Sequence, residues 1–287
     1  MHLMQGIRSY SMSSLLKVRY LILRRVTQIG LLFLYFSANA YGWKILTGTL
    51  SSSTLFQTIP LADPFAILQM LSAGALMGVN VFIGAAIITL FYGIIGGRAF
   101  CSWVCPVNMV TDLANWLRRK LLLDKAERKV WVSRNARYWV LVLSLIVSAI
   151  TGLAAFELVS PITIFNRGVI FGMGMTGGVL LAIFLFDLFG VKNGWCGHIC
   201  PLGGFYSLIG RFSLIRVRHN QPNCTLCMKC KEVCPESEVL FMIGKKSTTV
   251  NMGECVNCAR CIEVCDDDAL RFSIRDFATT EAKGDKR

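Results

Sequence analysis

All twelve cysteines of this 287-residue chain fall into four tight groups, and the last two groups limit the possible folds most. Cys224-x2-Cys227-x2-Cys230-x3-Cys234-Pro235 recurs as Cys255-x2-Cys258-x2-Cys261-x3-Cys265. Clustering at such short spacing indicates metal ligation rather than a disulfide framework. Zinc takes four ligands per ion, usually from paired C-x2-C knuckles. Two copies of one four-cysteine run fit an iron–sulfur cubane better. Three thiolates two residues apart wrap three irons in one tight loop, and the fourth ligand comes from the other run. One [4Fe–4S] cluster is therefore expected on Cys224, Cys227, Cys230 and Cys265. The other is expected on Cys255, Cys258, Cys261 and Cys234.

This spacing is that of the bacterial two-cluster ferredoxins, so residues 216–277 read as a small α+β ferredoxin-like domain. Asp266, not proline, follows Cys265. Asp266, Asp267 and Asp268 place negative charge beside one cluster, which lowers its potential. Lys229 and Lys231 flank the other, so unequal potentials are expected.

The rest of the chain is apolar. Hydrophobic residues make up 54% of it, with a mean hydropathy of +0.54. Apolar stretches run Val26 to Leu46, Val79 to Gly97, roughly Tyr138 to Phe156 and roughly Phe171 to Val191. Each is near the ~20 residues a helix needs to cross a bilayer. The net charge of +13 comes from Lys and Arg concentrated in residues 1–25 and 98–137. The positive-inside rule then puts both termini and every cysteine group on the cytoplasmic side. Membrane, not nucleic acid, is the partner this charge implies. Arg24-Arg25 before a short apolar run also resembles a cleavable signal or a twin-arginine address. The apolar run extends through Tyr41–Leu46 to spanning length, which favours an uncleaved first helix. Three histidines, His2, His198 and His219, lie outside these stretches, which excludes a cytochrome-b-type haem site. The expected fold is a membrane α-helical protein. It has four transmembrane helices as two hairpin repeats, followed by the ferredoxin domain. Its parts are a cytoplasmic basic N-terminus (1–25), a four-helix membrane domain (26–215), the ferredoxin domain (216–277) and a disordered tail (278–287).

The first two cysteine groups are C-x3-C-P pairs. Cys101-Ser102-Trp103-Val104-Cys105-Pro106 follows the second apolar stretch, and Cys196-Gly197-His198-Ile199-Cys200-Pro201 follows the fourth. The pairs lie 95 residues apart, each preceded by an aromatic, Phe100 or Trp195. Two hairpins of like orientation suggest parallel repeats about an axis along the membrane normal. The four sulfurs would then converge as a redox or metal centre; four buried thiols in tight packing are the alternative. Proline suits the first turn of a helix, whose dipole would favour thiolate. Val110, Leu113, Ala114, Leu117 and Leu121 at helical spacing, opposite Arg118, Arg119 and Lys120, predict an amphipathic surface helix. His198 and Asp187 are candidates for a quinol or proton site. Gly172-Met173-Gly174-Met175-Thr176-Gly177 matches a dinucleotide fingerprint literally, but no βαβ unit surrounds it. Gly174 and Gly178 there suggest close helix packing. Asp63-Pro64 with Phe65, Ile67, Leu68 and Leu71 reads as a capped helix at the outer surface.

Taken together these segments resemble the NapH family of membrane ferredoxin-type proteins. The likeness runs from Arg24-Arg25 to about Phe277. It includes Ser51-Ser52-Ser53, Phe100 to Pro106, Thr111-Asp112-Leu113-Ala114-Asn115-Trp116-Leu117-Arg118-Arg119 and Gly194 to Pro201. The resemblance implies a bacterial inner-membrane quinol dehydrogenase subunit rather than a complete enzyme. Quinol is the implied substrate, and electrons would pass with a NapG-like periplasmic ferredoxin subunit toward periplasmic nitrate reductase. No catalytic acid–base pair or nucleophile is evident in the chain itself. Two other functions compete. A copper-reducing assembly factor would carry a further domain after the ferredoxin. A membrane redox regulator would carry a large outer domain, whereas the longest outer loop here is residues 47–78.

Overall fold

A computed structural model of the chain describes residues 18–121, 133–172, 174 and 176–275. The basic N-terminus, part of the basic loop and the tail from 278 lie wholly or partly outside these residues.

Helix α1 (Arg19–Tyr41) ends where Gly42 turns left-handed at φ 68°. At 1.5 Å per residue its 23 residues reach about 34 Å, enough for a bilayer core. It is the one helix among the described residues with both the length and the composition to cross a membrane. The other apolar helices are shorter: α3 (Val79–Ile95), α6 (Ala136–Thr151) and α9 (Thr176–Leu185), which runs into a π-helical turn, Phe186–Gly190. The expectation of four helices of spanning length is met by one.

Residues 47–78 read as an outer polar loop, but most of them are structured and pack on the bundle. Strands β1 (Leu46–Gly48), β2 (Ser52–Leu55) and β3 (Ile59–Ala62) form an antiparallel meander. Phe56 and Gln57, at φ 51° and 58°, make the tight turn between β2 and β3. Strand β3 lies against α3 so closely that a Cβ on Gly84 would come 3.0 Å from the Ala62 nitrogen. Asp63 then caps α2 (Pro64–Ser72), accepting from the Phe65 N–H at 3.3 Å. The cap was legible. Its place was not, because Asp63, Phe65, Ile67 and Gln69 are all buried.

After the first C-x3-C pair, whose Cys101 sits on the short helix α4 (Ala99–Trp103), comes α5 (Val107–Lys120). This is the amphipathic helix expected, packed on the bundle through polar side chains and Ala114. Thr111, Asp112, Asn115 and Arg118 face inward, and Leu113 and Trp116 are exposed. Arg118 points at the carbonyls of Asp187, Leu188 and Gly190, which the π-helical turn leaves open.

The second half repeats the plan with α6, α7 (Ala155–Val159), α8 (Pro161–Phe171), α9 and α10 (Pro201–Gly210). The halves exchange partners: α2 packs on α6 and α8 on α1, α5 on α9 and α10 on α3. Their shared core is aromatic. Phe100 stacks on Tyr206 at 5.0 Å, Tyr92 meets Tyr206 edge-on at 5.3 Å, and Phe65 packs on Phe156 and Phe205. Gly174 and Gly178 have open space around them, so they do not serve close helix packing.

The C-terminal unit is α+β. Strand β4 (Ile215–His219) lies between β5 (Thr248–Thr249) and β6 (Leu270–Ile274), antiparallel to both. Short helices α11 (Lys229–Val233) and α12 (Arg260–Glu263) follow the two cysteine loops. Its own core holds Val217, Val239, Leu240, Met242 and Val250. It sits on the bundle through backbone contact. A Cβ on Gly253 would lie 2.0 Å from the Ser207 oxygen of α10.

Candidate functional site: three four-cysteine cavities

The twelve cysteines are all free and surround three small cavities, four to each. Cys224, Cys227, Cys230 and Cys265 line the outermost. Cys234, Cys255, Cys258 and Cys261 line the next. Cys101, Cys105, Cys196 and Cys200 line the third, inside the helical bundle. The first two groupings match the exchange expected from the spacing. The third brings the two C-x3-C pairs to one place. Among the described residues no three His, Cys, Asp or Glu side chains converge closely enough to hold a metal ion. The sulfurs ring a space rather than a point, as a multi-iron cluster requires and a single zinc does not.

The backbone of the two ferredoxin loops supports that reading. Leu226 and Met228 in one, and Asn257 and Ala259 in the other, are left-handed at φ 61°, 59°, 48° and 62°. Non-glycine residues rarely adopt this conformation. Here it recurs two and four residues after the first cysteine of each run. Alternating right- and left-handed residues turn successive N–H groups toward one side, a nest that suits an anionic cluster.

Charge is distributed otherwise than the sequence suggested. Lys229 pairs with Asp266 at 3.1 Å, and Asp267 accepts from the Thr225 N–H and hydroxyl, all at the outermost cavity. Because Cys265 crosses to the loop of Cys224, its following aspartates come with it. Acidic and basic groups thus offset each other at one site rather than opposing each other at two. The second cavity faces buried arginines. Arg216 is fully buried beside Cys255, and Arg260 is paired with Asp112 near Cys258.

The third cavity is otherwise apolar, walled by Phe100, Val107, Phe156, Ile162, Trp195 and Leu202. Burial pushes all four of its thiols above the usual range, Cys200 to about 12. The expected thiolate preference from helix dipoles is outweighed by desolvation. Asp187 is buried and accepts from the Trp195 N–H at 3.0 Å, anchoring the turn that carries Cys196. His198 is buried on the same turn. Neither is part of the lining of this cavity.

The second and third cavities are tied together by residues that sequence reasoning passed over. The Ser102 hydroxyl donates to the Val256 oxygen at 2.7 Å, and the Trp103 indole to the Asn257 oxygen at 3.1 Å. Asn257 donates in turn to the Ile95 and Ile215 oxygens. Arg98 donates to Glu236, to the Glu254 oxygen and to the Cys196 oxygen. Arg98 read as one of many cytoplasmic flanking charges; the available signal was Ser102 and Trp103, two polar groups inside a cysteine motif.

Two larger cavities adjoin these sites. One of about 270 Å³ lies inside the bundle, lined by Tyr35, Asp63, Tyr92, Phe100, Val104 and Tyr206 among others. Tyr206 donates to Asp63 at 3.2 Å. Burial first, and then the charge of Glu157, push Asp63 up to about 7. A more open cavity of about 860 Å³ lies between α1, α5 and α12, with Leu113, Trp116, Arg24 and Glu263 in its wall.

Comparison with known proteins fits this organisation. A 4Fe-4S binding domain family matches residues 77–123 and again 172–219, and a 4Fe-4S dicluster domain family matches residues 216–266. The chain is 46% identical to the ferredoxin-type protein NapH of Haemophilus influenzae over 223 residues, 77% of each chain. It is 44% identical to NapH of Escherichia coli K12, again over 77% of each. The methylamine utilization ferredoxin-type protein MauN of Methylorubrum extorquens is 42% identical over 235 residues, 81% of each. No solved structure matches the chain.

Proposed function

The chain belongs to the family of ferredoxin-type proteins that includes NapH and MauN, and from that membership we propose that it draws electrons from membrane quinol. It is a ferredoxin-type iron–sulfur electron-transfer protein. In this proposal it is an inner-membrane subunit with four crossing helices and its termini in the cytoplasm. It works with a NapG-like partner toward periplasmic nitrate reductase. MauN relatives stand at nearly the same identity, which favours a methylamine-oxidising chain as the second reading.

The observation that carries the quinol reading is the cavity of about 270 Å³ at Asp63. It is apolar, it is close to the volume range of small-molecule sites, and its wall includes Phe100 and Val104, which flank Cys101 and Cys105. Oxidation of a quinol to a quinone releases two protons and two electrons. Bound clusters supply the one-electron acceptors such a donor needs. A carboxyl poised near neutrality is suited to take one of the protons. Outward-facing Phe33, Leu90, Phe91, Trp139, Ile146 and Leu181 support lipid contact along the shorter helices as well as α1.

The test is an anaerobic preparation in detergent, titrated with menaquinol or ubiquinol and followed by electron paramagnetic resonance, alone and with a NapG-like partner. Cluster signals that grow with quinol are expected, and Asp63→Asn should slow their appearance. No reduction in either preparation overturns the quinol reading. Reduction unaffected at Asp63 but blocked by Val110→Trp would move the site to the larger cavity.

A further inference from the structure

We infer that Cys101, Cys105, Cys196 and Cys200 together hold one further iron–sulfur cluster, shared between the two halves of the bundle rather than one in each. The inference rests on the geometry of these residues and stands whether or not quinol is the donor.

Each half supplies only two cysteines, in the C-x3-C-P segment, and two thiolates are half of what an iron–sulfur cluster takes. The halves do not hold their pairs apart. All four cysteines line the same cavity, where α4 and the turn Trp195–Ile199 meet. The exchange of packing partners between the halves is what brings them there. The alternatives fit less well. No two of the four are joined as a disulfide. A single zinc ion takes four donors converging on one point, and among the described residues no group of even three occurs. Four thiols packed only for bulk leave unexplained the equivalent donors beside them. The backbone N–H groups of Val107 and Asn108 lie beside the Cys105 thiol, and those of Leu202 and Gly203 beside the Cys200 thiol, at equivalent positions in the two halves. In both halves the proline after the second cysteine starts a helix of ten residues or more, α5 and α10. The positive end of its dipole therefore lies beside the sulfur. The surrounding wall is apolar and buried, and the cations that act on the site are Arg98 and Arg137, both already engaged by Glu236, so four bare thiolates would be incompletely neutralised there. Ferric and ferrous iron supply the remaining counter-charge.

The placement gives the site a neighbour. Phe100 lines both this cavity and the Asp63 cavity, and Ser102 and Trp103 grip the loop between Cys255 and Cys258. A cluster here would stand between the bundle interior and the ferredoxin unit.

The test counts iron and acid-labile sulfide per chain in the full-length protein purified anaerobically, with Mössbauer spectra of iron-57-labelled material. Two ferredoxin clusters account for about eight irons. The expected count exceeds that by about two or four, with matching sulfide. Cys101→Ala and Cys196→Ala, in opposite halves, should each return the count to about eight, and the double variant should fall no lower. The ferredoxin signals should persist in all three. A wild-type count of about eight overturns the inference whatever the variants do. So does an excess that each single variant halves and only the double variant abolishes, which would mean separate sites.

Discussion

The Arg98 guanidinium donates to the Glu236 carboxylate at 2.7 Å, and each side chain is only 2% exposed. Arg98 precedes the first bundle cysteine, and Glu236 follows the last cysteine of the first ferredoxin run. Arg137 and Arg134 converge on the same carboxylate. Burial pushes Glu236 up, but the three guanidinium groups outweigh it and hold it below the ordinary range. This buried knot, not a linker, joins the ferredoxin unit to the bundle.

Glu236→Ala should destabilise the protein by about 3–5 kcal/mol, because it leaves Arg98 and Arg137 charged and buried without their partner. Thermal unfolding in detergent measures this. Removing the exposed Lys229–Asp266 pair by Lys229→Ala should leave the transition unchanged, since solvent screens that pair. Equal losses for the two variants would show that the knot is no more than a surface contact.

The two ferredoxin clusters should have unequal potentials, with the one on Cys234, Cys255, Cys258 and Cys261 the higher. Arg216 and Arg260 surround that site, and positive charge favours the reduced form. Arg216→Gln should lower its midpoint by about 30–60 mV, roughly 0.7–1.4 kcal/mol for one electron. The outer cluster should hardly move. Superimposable titrations, or a shift shared equally by both clusters, would remove the charge argument.

Much of this was legible in the sequence, and the failures have a common cause. Cysteine spacing is local chemistry, so it anticipated which cysteines gather at each ferredoxin cavity, and the repeat of C-x3-C-P anticipated the meeting of the two pairs in the bundle. Hydropathy and charge counts average over neighbours and cannot see tertiary placement. They read Asp63 as part of a polar surface loop because residues 47–78 look polar, whereas a strand meander leads to its burial. They read Arg98 as a flank, though it is the centre of an interface. Lys229 and Asp266 seemed to serve different clusters because they are far apart in sequence. The crossing of Cys265 makes them neighbours.

Asp63 should make stability depend on pH between about 4 and 7. Its carboxyl titrates at about 7 when folded and near 3.9 when unfolded. Between those values the folded chain binds the extra proton, so stability falls as pH rises through the window. The drop is at most about 4 kcal/mol by linkage. Asp63→Asn, which keeps the shape and cannot ionise, should flatten the slope. Unfolding midpoints at stepped pH measure both chains. A slope that survives in the variant assigns the effect elsewhere.

Gly253→Ala should loosen the ferredoxin unit from the bundle. The added Cβ would lie 2.0 Å from the Ser207 oxygen and 3.0 Å from the Arg211 nitrogen, both backbone atoms that no rotamer change can move. Overpacking of this kind costs about 1–3 kcal/mol. The cost falls on the contact between the units, since Ser207 belongs to α10 and Gly253 to the loop before Cys255. Limited proteolysis should therefore cut faster near Ser213 and Leu214, between α10 and β4, while cluster content is kept. Gly177→Ala is the control: its Cβ meets nothing within 4 Å, and alanine is the better helix former in α9. If both variants resist protease as the parent does, the glycine contact is not what docks the two units.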